Sequence, residues 1–292
     1  MKNKPFTEEI KGLDPEKDWH RIAFLLTFHC FPWDMEKSLE FALFRTFAVP
    51  RISKLLLGTG EFIKRPRKRY DDTELILYEI LENGMDSERG KAAISLMNTM
   101  HGRFSIPNED YLYVLSTFVF EPIRWMEKYG WRPFTEKEKH AIFINYKELA
   151  KRMKITHVPE DLGQFEEWNR EYEKKYFRYD PANRLIAEKT IAVVLGNYLP
   201  KWLFWLGKPF VVSLMDAPLC SSMGYKKPSW IIYKITATGM MAKSRIQGLL
   251  PEPKFPKLGT SRKRPTYPKG YDLAELGTLS HHSRKDGTKP LP

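Results

Sequence analysis

The chain has 292 residues, of which 14% are aromatic, and this content argues against a disordered chain and for a sizeable hydrophobic core. The net charge of +12 would suit the phosphates of nucleic acid or anionic lipid, but no helix-turn-helix, zinc-finger or base-stacking motif accompanies it, so no nucleic-acid partner is expected. The two cysteines, Cys30 and Cys220, form neither a metal-ligand spacing nor a disulfide framework, which favours a reducing compartment.

The sequence predicts neither a signal peptide nor a transmembrane helix. The first 19 residues are polar and charged, and the uncharged stretch 190–200 is too short to cross a bilayer. We therefore expect a cytoplasmic protein, or one bound peripherally to a membrane such as that of the endoplasmic reticulum (ER). The basic clusters would allow contact with anionic lipid, although a solvated basic surface without a specific partner explains them equally well.

Helical signals follow one another at short spacing along the chain and strand signals are nearly absent. The predicted fold is therefore all-α, a single multi-helix globular domain, which we place at residues 14–250. Residues 1–13 are expected to form a flexible arm. Residues 251–292 contain seven prolines and nine Lys/Arg against four Asp/Glu, which predicts an extended basic tail that wraps the domain or stays disordered.

Several residues predict where individual helices begin or bend. Asp14-Pro15 and Asp180-Pro181 each indicate a helix start, because Asp is a good N-cap and Pro suits the first turn. Thr135 and Glu138 have the spacing of a capping box. Pro122 lies within a helical pattern that begins at Asn108, and it predicts a kink.

The basic run 64–69 leads into the sequence RYDDTELILYEI, which allows two helix starts. If the helix begins at Asp71, capped together with Glu74, then Arg69 lies outside it and does not share a face with Thr73. If it begins earlier, Arg69 and Thr73 are i and i+4 neighbours and point the same way. Only the second arrangement would suit the wall of a ligand pocket.

His101 lies on the apolar face of another predicted helix, at helical spacing from Ile94, Met97 and Phe104. Burial on such a face disfavours the imidazolium, so His101 is expected to be neutral. One interpretation is a core histidine bonded to a backbone carbonyl. The other is a haem ligand, since a neutral imidazole with a free ring nitrogen suits haem iron.

The segments HGRFSIPNEDYLY and FVFEPIRWMEKYGWRPFTEKEK resemble the MpaB-type oxygenase family and, more distantly, the latex-clearing proteins, which are rubber oxygenases. The resemblance extends upstream through FALFRTFAVPRISKLLLGTGEF and, more weakly, down to about Gly248. It implies an all-α fold that holds haem b and uses dioxygen to cleave isoprenoid C=C bonds. His101 matches the family's proximal iron ligand.

The same resemblance implies the remaining site residues. The latex-clearing proteins have an Arg-x-x-Lys-Thr stretch on the distal side of the haem, and Arg69, Asp72 and Thr73 match it, with Asp72 in place of Lys. We expect these three to act in catalysis, with Asp72 accepting a hydrogen bond from Arg69 or carrying a proton. Met97 and Arg124 are expected beside the cofactor, where Arg124 would pair either with a haem propionate or with Glu121.

The stretch GNYLPKWLFWLGKPFVVSLM combines tryptophans with lysines, which is typical of a membrane interface, although a packed corner of the core explains it equally well. The first functional hypothesis is a haem-dependent oxygenase of secondary metabolism acting on a lipophilic, prenylated small molecule. The alternative is a non-catalytic lipid-surface protein that keeps the fold without the cofactor. A hydrolase has little support, because neither Gly-x-Ser-x-Gly nor a zinc-binding His-Glu-x-x-His is present.

Overall fold

The structure, a computed structural model, describes residues 4–277. Within that range the regular secondary structure is helical apart from one isolated bridge between Pro268 and Gly270, so the predicted all-α fold is confirmed. A π-helical turn, Leu26–Cys30, follows the second helix, and 3₁₀ turns occupy Lys201–Leu203 and Leu273–Glu275. The α-helices are α1 (Pro5–Gly12), α2 (Trp19–Leu25), α3 (Pro32–Phe47), α4 (Pro50–Gly58), α5 (Glu61–Lys64), α6 (Pro66–Asn83), α7 (Glu88–His101), α8 (Asn108–Tyr129), α9 (Glu136–Arg152), α10 (Leu162–Tyr176), α11 (Pro181–Leu195), α12 (Phe204–Leu214), α13 (Ala217–Ser222) and α14 (Trp230–Leu249).

The core is built around α3 and α8, which pack against each other more extensively than any other pair of helices in the described residues. Phe44 and Phe47 of α3 and Phe120 of α8 are almost completely buried there. Burial of apolar side chains of this size is the main favourable contribution to folding. α6 packs along α7, and α2 packs along α9, on the outside of this centre. The candidate site residues on α6 and α7 therefore lie at one helix–helix seam.

The helix ends follow local sequence signals, with differences at two prolines. Thr135 and Glu138 form the predicted capping box, and the Asp180 side chain caps α11. The first predicted start is wrong, because residues 15–17 form turns and α2 begins only at Trp19. α8 continues through Pro122 to Tyr129, as a single helix.

The N-terminal segment is not the flexible arm that the sequence predicts. Its residues 5–12 form helix α1, and Ile10 is 2% exposed within the core. Glu252 binds this helix through its carboxylate, which accepts hydrogen bonds from the backbone N–H of Phe6, at 2.8 Å, and of Thr7, at 3.2 Å. The prediction missed this because both partners are polar residues 245 positions apart.

Beyond α14, the chain runs along the surface of α6 as what we call the C-terminal segment, residues 251–277. Its only regular elements are one 3₁₀ turn and the isolated bridge, and Leu276 is fully buried. The segment is fixed mainly by polar contacts, among them the backbone N–H of Gly259, which donates to Glu82 at 2.7 Å. The remainder of the predicted tail, residues 278–292, lies outside the described residues.

Candidate functional site at the seam between α6 and α7

Arg69 and Thr73 share one face of α6. The helix begins at Pro66, so Asp71 and Glu74 lie in its interior and do not form a capping box. The Arg69 guanidinium donates to the Thr73 hydroxyl, and that hydroxyl donates to the Arg69 carbonyl at 2.8 Å. Of the two geometries that the sequence allows, the structure has the one that suits a pocket wall.

His101 is the last residue of α7 and is half-buried. Its Nδ1 atom is buried and has no hydrogen-bond partner among the described residues. By contrast, the rings of His20 and His29 lie within hydrogen-bond distance of backbone carbonyls, those of Leu81 at 3.1 Å and Pro253 at 2.9 Å. His101 is therefore not held as a core histidine usually is, and one ring nitrogen stays available.

The positive charge of Arg69 acts on His101. Burial, as the larger cause, and this charge together lower the pKa of His101 to about 4. His101 is therefore neutral near pH 7, which is the form that binds a metal ion. Arg69 itself lies with its guanidinium carbon 5.4 Å from the centre of the Phe62 ring. The seam thus sets a fixed cation opposite a neutral imidazole.

Apolar side chains lie near His101 at the end of α7. Met97, one turn earlier on α7, is 9% exposed. Tyr111 of α8 meets the ring edge-on, with a distance of 5.6 Å between ring centres. Met100 contacts the C-terminal segment at Gly277, where an added Cβ would lie 2.1 Å from the Met100 sulfur. These apolar neighbours favour the neutral imidazole and would suit a large apolar group.

Asp72 does not accept a hydrogen bond from Arg69 in this structure. Its carboxylate receives hydrogen bonds from Lys68 at 2.8 Å, from the Tyr267 hydroxyl at 2.6 Å and from the Gly277 backbone at 3.0 Å. These contacts fix the C-terminal segment beside the seam. A lysine at position 72 would instead set a second cation against Lys68, so the departure from the Lys of the latex-clearing proteins is matched by the residues around it.

Arg124 is not at the seam. Its guanidinium donates to Glu121 at 3.2 Å and to Asn169 at 2.8 Å, on the side of α8 that faces α10. Arg124 lies 13 positions after Tyr111 on α8, which is about 20 Å along the helix at 1.5 Å per residue. Of the two pairings that the sequence suggests, the structure has the one with Glu121. That Arg124 lies beside the cofactor stays a prediction, which this pairing does not support.

Lys68 and Tyr267 also belong to the site, and sequence analysis did not single them out. Lys68 bridges Asp72 and the carbonyl of Glu275, at 3.2 Å, so it joins α6 to the C-terminal segment. Tyr267 was hidden by the low-complexity appearance of a Pro-rich tail. The signal that could have found it is the pair of tyrosines, Tyr267 and Tyr271, because aromatic residues are scarce in disordered segments.

Two cavities open near the seam without including its key residues. One, of about 510 Å³, flanks α7 and is lined by residues that include Ile94, Asn98 and Arg152. The other, of about 370 Å³, lies between α6 and the C-terminal segment, and Tyr70 and Arg264 line it. Neither is lined by Arg69, Thr73 or His101. What the seam itself offers is a neutral imidazole with an unpartnered ring nitrogen, which is the kind of group that fits an axial haem ligand.

No family model matches the chain. Three named proteins of Penicillium are similar to it. An "ER-bound oxygenase mpaB'" of Penicillium brevicompactum is 35% identical over 217 residues, 68% of this chain and 51% of that protein. An "ER-bound oxygenase mpaB" of Penicillium roqueforti (strain FM164) is 33% identical over 213 residues, 67% of this chain and 71% of that protein. A further "ER-bound oxygenase mpaB" of Penicillium brevicompactum is 33% identical over 185 residues, 57% of this chain and 47% of that protein.

The chain thus spans about half the length of two of these relatives and somewhat over two thirds of the third. None of the helices in residues 4–277 has both the length and the apolar composition needed to cross a bilayer.

Proposed function

The chain belongs to the MpaB-type oxygenase family, and from this premise we propose that it is a haem-dependent oxygenase acting with dioxygen on a lipophilic, prenylated small molecule. The observation that carries the proposal is the neutral His101, whose buried Nδ1 lacks a partner among the described residues and which lies near Arg69. His101 would hold the iron of haem b, and Met97 would contact the same group.

When bound, haem b supplies the iron at which dioxygen is activated. The residues of this chain contribute the environment. Arg69 provides a planar cation that is able to stabilise negative charge on a reacting oxygen, and Thr73 holds the guanidinium in place and adds a neutral donor. Phe62, which packs against Arg69, and Met97 keep water away from the seam. Asp72 acts indirectly in this proposal, by holding the C-terminal segment against α6.

The test is the absorption spectrum of protein expressed with added haem. Wild type should be red and show a Soret band, and His101→Ala should lose the band and the iron while its helical circular dichroism is unchanged. His140→Ala is the matched control. The His140 side chain is exposed, and its partner is Glu16, at 2.5 Å, which does not belong to the seam. A normal Soret band and iron content in His101→Ala would exclude His101 as the axial ligand.

A second candidate function is a lipid-surface protein without cofactor. The observation that favours it is α14, where none of the 20 residues is buried although many are apolar. Purified wild type would then be colourless after expression with haem, and would still bind lipid vesicles. Colour and vesicle binding are measured independently. A red protein with a Soret band supports the oxygenase, and a colourless protein that binds vesicles supports the lipid-surface function.

A further inference from the structure

The large exposed hydrophobic side chains of this protein are concentrated in one region. Of the 18 such side chains in residues 4–277, 12 lie between residues 198 and 250. Trp202 and Trp205 are each 73% exposed, Trp230 is 68% exposed and Leu249 is 88% exposed. α12 and α14 pack side by side. We call the exposed side of these two helices, with the turn before α12, the outer face. Large exposed apolar side chains grouped in this way indicate an interaction site in a soluble protein.

α14 differs from an ordinary surface helix, because several of its polar side chains point inward. Thr236 accepts a hydrogen bond from Ser213 of α12 at 2.7 Å, and Ser244 donates to the carbonyl of Gly130 at 2.7 Å. Lys243 forms an ion pair with Asp34, which is fully buried. The isoleucines Ile231, Ile235 and Ile246 are instead more than half exposed. The helix thus uses its polar residues to attach to the domain and turns its large apolar residues outward.

Basic residues outnumber acidic ones around the outer face, although Lys208 of α12 is paired with Glu188 at 2.5 Å. Residues 189–251 contain eight Lys/Arg and a single acidic residue, Asp216. Asp216 is neutralised by Arg45, whose guanidinium lies 2.6 Å from its carboxylate, and it also caps α13. Lys226, Lys227 and Lys234 are exposed beside the apolar residues. Lysines next to exposed tryptophans are typical of surfaces that lie in a lipid headgroup region.

We propose that the outer face docks onto an anionic membrane surface, with its tryptophans and isoleucines at the level of the headgroups and its lysines against anionic lipid. A second copy of the chain is a poorer occupant, because a twofold interface would set this row of lysines against itself. Residues 278–292 are also poorly suited, since their sequence has only two large apolar residues and three Lys/Arg. The docked orientation would present the protein to lipophilic molecules dissolved in the bilayer.

The proposal is tested by co-sedimentation of the full chain with lipid vesicles. The probes are vesicles of phosphatidylcholine alone and vesicles with about one third phosphatidylserine. Wild type should bind the anionic vesicles, less strongly as salt rises, and its tryptophan emission should shift to the blue. Ile235→Glu should weaken binding by roughly tenfold or more, because one buried aliphatic side chain accounts for about that factor in partitioning. The double variant Lys226→Gln/Lys227→Gln should still bind vesicles but should no longer prefer the anionic ones.

The matched control is Leu185→Glu, which introduces the same charge at an apolar side chain that is 40% exposed on α11, outside the outer face. It should bind vesicles as wild type does. Wild-type binding by Ile235→Glu, or absence of binding by wild type, would overturn the proposal. The proposal would also fail if wild type were a dimer that did not bind vesicles and Ile235→Glu were a monomer. The outer face would then be covered by a second copy of the chain. None of these measurements depends on haem, so they stand apart from the test of His101.

Discussion

α6 and α14 both depart from the usual rule that apolar residues are buried and polar residues are exposed, and they do so in opposite ways. On α6, Asp71 and Glu79 are completely buried, and Asp72 is 4% exposed. On α14, large apolar residues such as Leu249 and Trp230 face outward. A buried carboxylate and an exposed aliphatic side chain are both unfavourable unless something else pairs with or covers them.

The partners of α6 belong to the same chain. Glu79 forms an ion pair with Arg89 and accepts a hydrogen bond from Tyr271, and Asp71 accepts one from Thr266 at 2.6 Å. Tyr271 and Thr266 lie in the C-terminal segment, which therefore completes α6 rather than extending from it. Within residues 4–277 nothing comparable covers the outer face of α14. Buried polar residues that are paired within the chain, as on α6, serve the fold. Exposed apolar residues that nothing in the described chain covers, as on α14, indicate a surface that binds something else.

The largest effect on stability is expected at Arg264, the cation that the C-terminal segment inserts beside α6. It is 7% exposed, forms an ion pair with Glu74 and lies 3.7 Å from the buried Asp71. Arg264→Ala would leave buried carboxylate charge without its partner, which costs about 3–5 kcal/mol in the free energy of unfolding. Urea denaturation monitored by circular dichroism measures this change.

The control for Arg264 is Arg21, whose ion pair with Glu9 at 2.8 Å joins side chains that are 47% and 36% exposed. Arg21→Ala should cost no more than about 1 kcal/mol, because water and salt already screen such a pair. Equal costs for the two arginine variants would show that the C-terminal segment does not complete α6.

The next effect concerns catalysis at the seam. Arg69→Ala should keep the haem spectrum and lower turnover by roughly 10²-fold, the scale seen when a charge-stabilising donor is removed. Thr73→Val should lose less, since a neutral hydrogen bond contributes about 1 kcal/mol. Oxygen consumption and the Soret band, measured side by side for both variants, separate an effect on turnover from one on cofactor binding.

Arg103 offers the control for Arg69, because it is also an arginine near His101 in sequence but is exposed. Arg103→Ala should behave as wild type in spectrum and turnover. If Arg69→Ala matched it in both, Arg69 would belong to the solvated basic run 64–69 and would have no part in the chemistry.

Sequence patterns predicted the all-α class because helix periodicity and caps are local properties. The capping box at Thr135 and the start of α11 after Asp180 are examples in which every interacting atom lies within four residues. The same locality explains why Arg69 and Thr73 were correctly recognised as potential i, i+4 neighbours. The roles that we assign to Arg69, Thr73 and His101 remain predictions that come from the family resemblance.

Features that depend on contacts distant in sequence were not predictable from local patterns. The C-terminal segment has no apolar period, and its attachment to α6 rests on polar pairs such as Tyr267 with Asp72, 195 residues apart. Arg124 and Glu121 are only three residues apart, yet the choice between Glu121 and a propionate depended on where α10 packs. Composition predicted that residues 251–292 either wrap the domain or stay disordered; residues 251–277 wrap it, as a covering layer over α6, but the contacts that hold them could not be predicted.

A smaller effect, on the pH dependence of stability, is expected at His20, which is half-buried beneath α6 and close to the Leu81 carbonyl. Burial lowers the pKa of His20, so the folded state holds it neutral while the unfolded state takes up a proton near pH 6.5. Because the unfolded state then binds more protons, the stability from this group is full above about pH 6.5 and is lost as the pH falls below it. The melting temperature measured from about pH 7.5 to about pH 5 should fall less for His20→Gln than for wild type.

His157 is the control for this series, since its side chain is exposed to water. His157→Gln should follow the wild-type dependence of melting temperature on pH. A His20→Gln profile parallel to wild type would mean that the acid sensitivity of the fold comes from other groups, such as the paired carboxylates of α6.

The smallest effect on stability is expected on α14, where apolar side chains are most exposed to solvent. Leu249 is 88% exposed, so its side chain gains little from folding, and Leu249→Ser should change the free energy of unfolding by no more than about 0.5 kcal/mol. Leu75 of α6 is fully buried, and Leu75→Ala should cost about 2–5 kcal/mol. Urea denaturation of the two variants, without lipid, compares a leucine that the fold needs with one that it does not. A large loss of stability in Leu249→Ser would mean that the outer face is covered within the protein itself, and the contrast between α6 and α14 would disappear.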